Sequence, residues 1–246
     1  MGTIHFRAED NVAVITVDTP QKLNTFTRAM RNEIGRLLEE LNRNSEFIGA
    51  VLTGAGDAFC AGQDLRESST WGDDIPWVEE FETFARSILK FKKPLVAAVN
   101  GVAAGGGFQM ALLCDGRIGH PGTRMGQPEV RTGLASITGT WFMQRSIGDV
   151  RARELALSGR LMGADELLQN GLLSAVVPRE EVFSAALARC HEFARSPADS
   201  IARTKTWIYE SMSEEMERVF KDATRYHRMG FASGVSQAGA VKFLGQ

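Results

Sequence analysis

The sequence predicts an α/β fold with a largely parallel sheet, ending in an all-helical C-terminal region. Apolar strand-like runs alternate with helix-period segments over most of the chain, an order that favours parallel pairing through right-handed crossovers. From Glu180 onward nearly every segment has helical period. The length, 246 residues, is enough to bury a full core in one domain, alone or with an appendage.

The elements follow in order. Val12–Val17 reads as a strand ended by Asp18-Thr19-Pro20. Between Thr27 and Asn42, Met30, Ile34, Leu37, Leu38 and Leu41 share one helical face. A strand over Ile48–Leu52 closes at Thr53-Gly54-Ala55-Gly56, and a loop runs from Asp57 to about Asp74. A helix from Trp77 to Phe91 precedes a strand over Pro94–Val99, a glycine turn, and a short helix through Cys114. Helices are expected to begin near Thr140 and Asp149, and another spans Asp165–Gln169 before Gly171. The tail reads as three helices, Glu180–Arg195, Ala198–Met212 and Glu214–Met229.

Composition excludes several classes. A hydrophobic share of 43% with 24% charged residues is that of an ordinary soluble globular chain. A net charge of −2 provides no broad basic field, so no nucleic-acid partner is expected. Cys60, Cys114 and Cys190 are too few and too dispersed for a disulfide framework or a zinc site, and no metal is expected. The apolar window Leu95–Ala104 is too short and glycine-rich to cross a bilayer, so no membrane partner is expected. Met1–Asn11 carries charges and no apolar signal-like core, which makes the cytoplasm the expected location.

Two glycine-containing segments carry the chemistry. Asn100-Gly101-Val102-Ala103-Ala104-Gly105-Gly106-Gly107 runs from a strand into a helix, where unpaired main-chain N–H groups face outward. Such a turn serves tight packing, anion binding, or donation to a developing negative charge. It lacks the G-x-G-x-x-G order of a dinucleotide site and the Gly-Lys-Ser/Thr of a P-loop. Phe59-Cys60-Ala61-Gly62-Gln63-Asp64-Leu65 supplies a second turn, and two facing turns would give two amide donors for one oxygen. Neither a G-x-S-x-G nucleophile elbow nor an H-E-x-x-H motif occurs, and His5, His120, His191 and His227 are scattered.

These two segments, with Lys22-Leu23-Asn24 before them and Gly126-Gln127-Pro128-Glu129 after, strongly resemble the crotonase (enoyl-CoA hydratase/isomerase) superfamily over nearly the whole chain. The resemblance implies a core of stacked ββα turns over residues 1–178 that binds acyl-CoA. It assigns residues 179–246 to a helical region packed in a homotrimer or dimer of trimers. It implies an acyl-CoA thioester as substrate, with coenzyme A entering as part of that substrate and no separate cofactor. The oxyanion-hole N–H groups would belong to Gln63 and Gly106, with Glu129 as the acid–base carboxylate. The substrate would lie along Lys22, Leu23, Ala61, Gln63, Asp64, Leu65, Arg66, Gly105, Gly106 and Gln109. Glycine at 106 would serve close approach of the thioester, where a Cβ would collide with it.

One departure from the pattern affects the expected reaction. Hydratases of this family usually carry a second glutamate where this chain has Gln109, and an amide cannot accept a proton from water near neutral pH. That favours a double-bond shift in an enoyl-CoA with Glu129 as single base. The alternatives are hydration or another lyase or hydrolase reaction through the same enolate, and a catalytically impaired CoA-ester-binding scaffold. Asp73, Asp74 and Glu79 are candidates for a replacement carboxylate, the loop Ser68–Pro76 for acyl selectivity, and Val241–Leu244 for a segment folded over the ligand.

Overall fold

The computed structural model describes residues 2–68, 76–236 and 238–239. Strand β1 (Thr3–Glu9) lies antiparallel on β2 (Val12–Asp18). The chain then repeats one pattern, placing consecutive strands in two different sheets: β3 (Gly49–Gly54) then β4 (Ala58–Cys60), β5 (Leu95–Ala98) then β6 (Val102–Ala104), β7 (Gly116–Gly119) then β8 (Arg124–Gly126). With β9 (Leu161–Gly163) and β10 (Ala175–Val176), this builds a six-stranded sheet in the order β1-β2-β3-β5-β7-β10 and a four-stranded sheet in the order β4-β6-β8-β9. All pairs are parallel except β1–β2 and β8–β9. The intervening helices are α1 (Arg28–Arg43), α2 (Leu65–Ser68), α3 (Trp77–Leu89), α4 (Gly106–Leu112), α5 (Ile137–Ile147), α6 (Asp149–Ser158) and α7 (Ala164–Gln169). The result is the expected coil of ββα turns.

The central strands are apolar on both faces because both faces are covered. Ala13, Ile15, Ala50, Leu52, Leu95 and Ala97 point into the main core with the inward faces of α1 and α3. Val12, Val51, Val96 and Ala98 point the other way, onto Val182, Ala186 and Cys190 of α8 (Val182–Phe193). Helix α1 starts at Thr27, whose side chain accepts from the Met30 amide at 3.3 Å.

Several features differ from the expectation. β1 was not anticipated: it is an edge strand, largely exposed, so it lacks an apolar run. β4 lies inside the stretch read as loop, and β6 inside the stretch read as turn, because three-residue strands leave no periodic signal. The two helices expected after Ala198 are one, α9 (Ala198–Ala232). No glycine or proline interrupts it near Ser213, whose hydroxyl bonds back to the Glu210 carbonyl at 3.0 Å. Helix α9 docks on α3 through Phe81–Phe220 (6.4 Å between centroids) and Trp77–His227 (4.6 Å). Among the described residues, no helix is long and apolar enough to cross a membrane.

Candidate active site

The first turn is held by main-chain bonds from the segment before α1. The Phe26 amide donates to Gly62 O (2.9 Å) and the Asp64 amide to Phe26 O (3.1 Å), so an isolated parallel bridge pairs Phe26 with Gln63. Successive N–H groups of an extended chain alternate in direction, so this bridge turns the Gln63 N–H away from Phe26. Ala61 N–H donates to Leu23 O at 2.9 Å. Leu23 and Asn24 both occupy the left-handed region (φ 52° and 57°). Asn24 fixes that conformation: its Oδ1 accepts from the Thr19 amide at 2.9 Å, and its Nδ2 donates to the Ala55 and Ala58 carbonyls, both at 2.7 Å. Lys22 Nζ donates to Asp64 Oδ2 at 2.6 Å, and the Arg66 amide to Asp64 Oδ1 at 3.0 Å. Lys22 and Leu23 are thus held against the turn that carries Ala61, Gln63, Asp64, Leu65 and Arg66, with Leu23 52% exposed.

The second turn is β6 running into α4. Gly105 has φ +54° and ψ −126°, a conformation open to glycine, and its amide donates to Gly126 O at 3.0 Å. The two turns touch: a Cβ on Gly62 would lie 2.8 Å from Ala104 O and 3.1 Å from the Gly106 nitrogen. Among the described residues, neither the Gln63 nor the Gly106 N–H donates to another main-chain group. The reason for glycine at 106 differs from the expectation. A Cβ there would meet the Phe26 ring at 2.8 Å and Phe81 at 3.4 Å, so internal packing imposes the glycine.

Glu129 lies beside this turn. It opens a 3-10 turn (Glu129–Thr132) after β8, and its Oε1 is 3.3 Å from where a Gly105 Cβ would stand. Oε1 accepts from Gln127 Nε2; Oε2 is buried and has no hydrogen-bond partner. Burial pushes the carboxyl up to about 7, outweighing its own main-chain N–H, the Ser136 hydroxyl and the Gln127 amide, which favour the charged form. Such a group takes and returns protons near neutral pH. Gln109, on α4, is buried and accepts from Thr138 Oγ1 of α5 at 2.9 Å. Of the other acidic candidates, Glu79 is exposed and meets Arg228 at 3.5 Å. Asp73, Asp74, most of the Ser68–Pro76 loop and Val241–Leu244 lie outside the described residues.

A model of the enoyl-CoA hydratase/isomerase family matches residues 7–246. The chain belongs to this family. Within the crotonase superfamily it is 35% identical over 217 residues to a probable enoyl-CoA hydratase of Rhodobacter capsulatus, covering 87% of this chain and 84% of that one. It is 29% identical over 245 residues to the probable enoyl-CoA hydratase echA8 of Mycobacterium bovis, covering 98% and 95%. Among solved structures, an enoyl-CoA hydratase/isomerase from Pseudoalteromonas atlantica superposes with a TM-score of 0.88 at 25% identity, covering 98% and 96%.

Two features of this family member escaped sequence reasoning. Gln127 stood in the quoted motif beside Glu129, yet only the structure shows its amide on the carboxylate and its side chain packed where Gly139 lacks a Cβ. Arg31 gave no signal, since an arginine on an apolar helical face ordinarily projects into solvent. Here it is 1% exposed, and burial pushes its guanidinium down to about 10. The cysteines are buried as expected, and burial pushes Cys60 up to about 12, which leaves it a neutral thiol.

Proposed function

We propose that this enzyme binds an enoyl-CoA thioester and shifts its double bond, with Glu129 as the single acid–base group. The supporting observation is the Glu129 carboxylate against Gly105, one oxygen held by Gln127 and the other unpartnered, with its pKa about 7. In this reading Glu129 Oε2 takes the α-proton of a 3-enoyl-CoA. The C–H electron pair moves into a dienolate, and negative charge collects on the thioester oxygen. The Gln63 and Gly106 N–H groups donate to that oxygen, each such donor being worth about 3–4 kcal/mol of barrier. Glu129 then returns the proton to the γ-carbon, leaving the 2-enoyl-CoA and the original carboxylate. Coenzyme A enters with the substrate, held along Lys22, Leu23 and the Ala61–Arg66 turn, and no separate cofactor takes part.

A second reading is hydration of a 2-enoyl-CoA, supported by the names of the Rhodobacter and Mycobacterium relatives. Against it stands Gln109, which supplies an amide engaged with Thr138 rather than a second carboxylate. Incubation with 3-enoyl-CoA and 2-enoyl-CoA in deuterated buffer separates the two. Bond migration with label at the α- or γ-carbon and little water addition supports isomerisation, and fast water addition to the 2-enoyl ester overturns it. A homotrimer or dimer of trimers goes with this reading, supported by Trp207, Ile208 and Met229 exposed along α9. A monomeric mass in light scattering counts against that assembly.

A further inference from the structure

We propose that Arg31 is a positioning residue that sets the geometry of both oxyanion donors, an inference that rests on the function proposed above. Its Nη1 donates to Gln63 Oε1, and Gln63 Nε2 donates at 2.5 Å to Glu67 Oε2. The Gln63 side chain is therefore pinned at both ends, which leaves its main-chain N–H little freedom to swing. The same guanidinium lies over the Phe26 ring at 5.4 Å and the Phe81 ring at 5.9 Å. Those two rings are the surfaces a Cβ on Gly106 would strike. Phe26 also carries, through its own amide and carbonyl, the main-chain bonds to Gly62 and Asp64.

One buried side chain thus grips Gln63 directly and braces the floor beneath Gly106. Its remaining hydrogen bonding is sparse: Nε and Nη2 have no hydrogen bond, and the cation is otherwise favoured by the nearby Glu67 and Glu80 charges, Glu80 Oε2 lying 3.9 Å from Nη2. A buried cation held mainly at such distances is costly for folding alone, since an apolar chain of similar volume would carry no desolvation cost there. Positioning gives it a use: a donor misplaced by about 1 Å lowers turnover by about two orders of magnitude.

The test uses Arg31→Met, Arg31→Lys, Gln63→Leu and the double variant Arg31→Met/Gln63→Leu. The probe is a saturated acyl-CoA labelled with ¹³C at the thioester carbonyl, whose infrared stretch reports hydrogen bonding on bound protein. We expect wild type to lower the stretch, and Arg31→Met and Gln63→Leu each to lose at least half of that shift. Arg31→Lys should regain part of it. On 3-enoyl-CoA, Arg31→Met should lower kcat about ten- to a hundred-fold with KM unchanged. The double variant should be no worse than the poorer single one. A wild-type protein that leaves the carbonyl unshifted overturns the oxyanion reading and the role of Arg31 together. A shift kept in full by folded Arg31→Met overturns the role of Arg31 alone. Should Arg31→Met not fold, Gln63→Leu decides: an undiminished shift there removes the link between Arg31 and the donor.

Discussion

Thr138 Oγ1 donates to Gln109 Oε1 at 2.9 Å, tying the first helix after the glycine turn to α5. The hydroxyl would donate equally well to a carboxylate at that position. Gln109→Glu should therefore fold, with the new carboxylate held in the orientation the amide has now. It should raise water addition to 2-enoyl-CoA by about 10²-fold or more, in line with what one acid–base group contributes. Initial rates of hydration for the two proteins check this, and equal rates would show that position 109 does not limit hydration.

Glu129→Gln removes the proposed base while preserving shape and the contact with Gln127. Bond migration should fall by about 10²–10⁴-fold. In wild type, activity should rise with pH through about 7 as the carboxyl ionises. A log kcat/KM profile, which reports the free enzyme, without an inflection between pH 6 and 8 (about one unit either side of that value) would place the base elsewhere.

The same group has a stability signature. Its folded pKa of about 7 lies above the ordinary 4.5, so between these values the folded state binds more protons than the unfolded one. The wild-type protein should lose stability from this group as pH rises through that window, by at most about 3 kcal/mol. Glu129→Gln escapes the loss, so its Tm advantage over wild type should be small at pH 4.5 and largest above pH 7. Denaturation curves at both ends check the sign.

Gly106→Ala drives a methyl into the Phe26 ring. It should destabilise by about 1–3 kcal/mol through overpacking. Phe26→Leu in the same protein, which withdraws the obstructing ring edge, should restore part of that loss in a urea titration. Additive losses would mean the methyl finds room by another route.

Asn24→Ala removes three hydrogen bonds from a buried, left-handed turn. The expected loss is about 2–4 kcal/mol, with weaker capture of CoA esters because Leu23 and Ala61 share that turn. Thermal unfolding with and without acyl-CoA measures both effects.

The sequence made the alternation of strands and helices legible because central strands buried on both faces read as unbroken apolar runs, as in Val12–Val17. Glu129, Gln63 and Gly106 were singled out as candidates through ordered motifs in which glycine and proline punctuate the chain. Arg31 was not, because burial of a charge depends on partners brought from Gln63 and Phe81, far along the chain. The reason for glycine at 106 was misread for a similar cause: Phe26 and Phe81 reach it only through tertiary packing. β4 and β6 were hidden because strands of three residues are defined by the neighbours they pair with.

The pairing of β4 with β6, Ala58 opposite Val102 and Cys60 opposite Ala103, decides where the two glycine turns meet. Helix α3 lies between these strands in the chain and outside that ladder, yet its Phe81 and Glu80 reach back toward Gly106 and Arg31. The helix cannot shift or shorten without carrying those contacts with it. Any sequence change in α3 is therefore felt at both glycine turns, and the placement of their amides is inherited together with the packing of that helix.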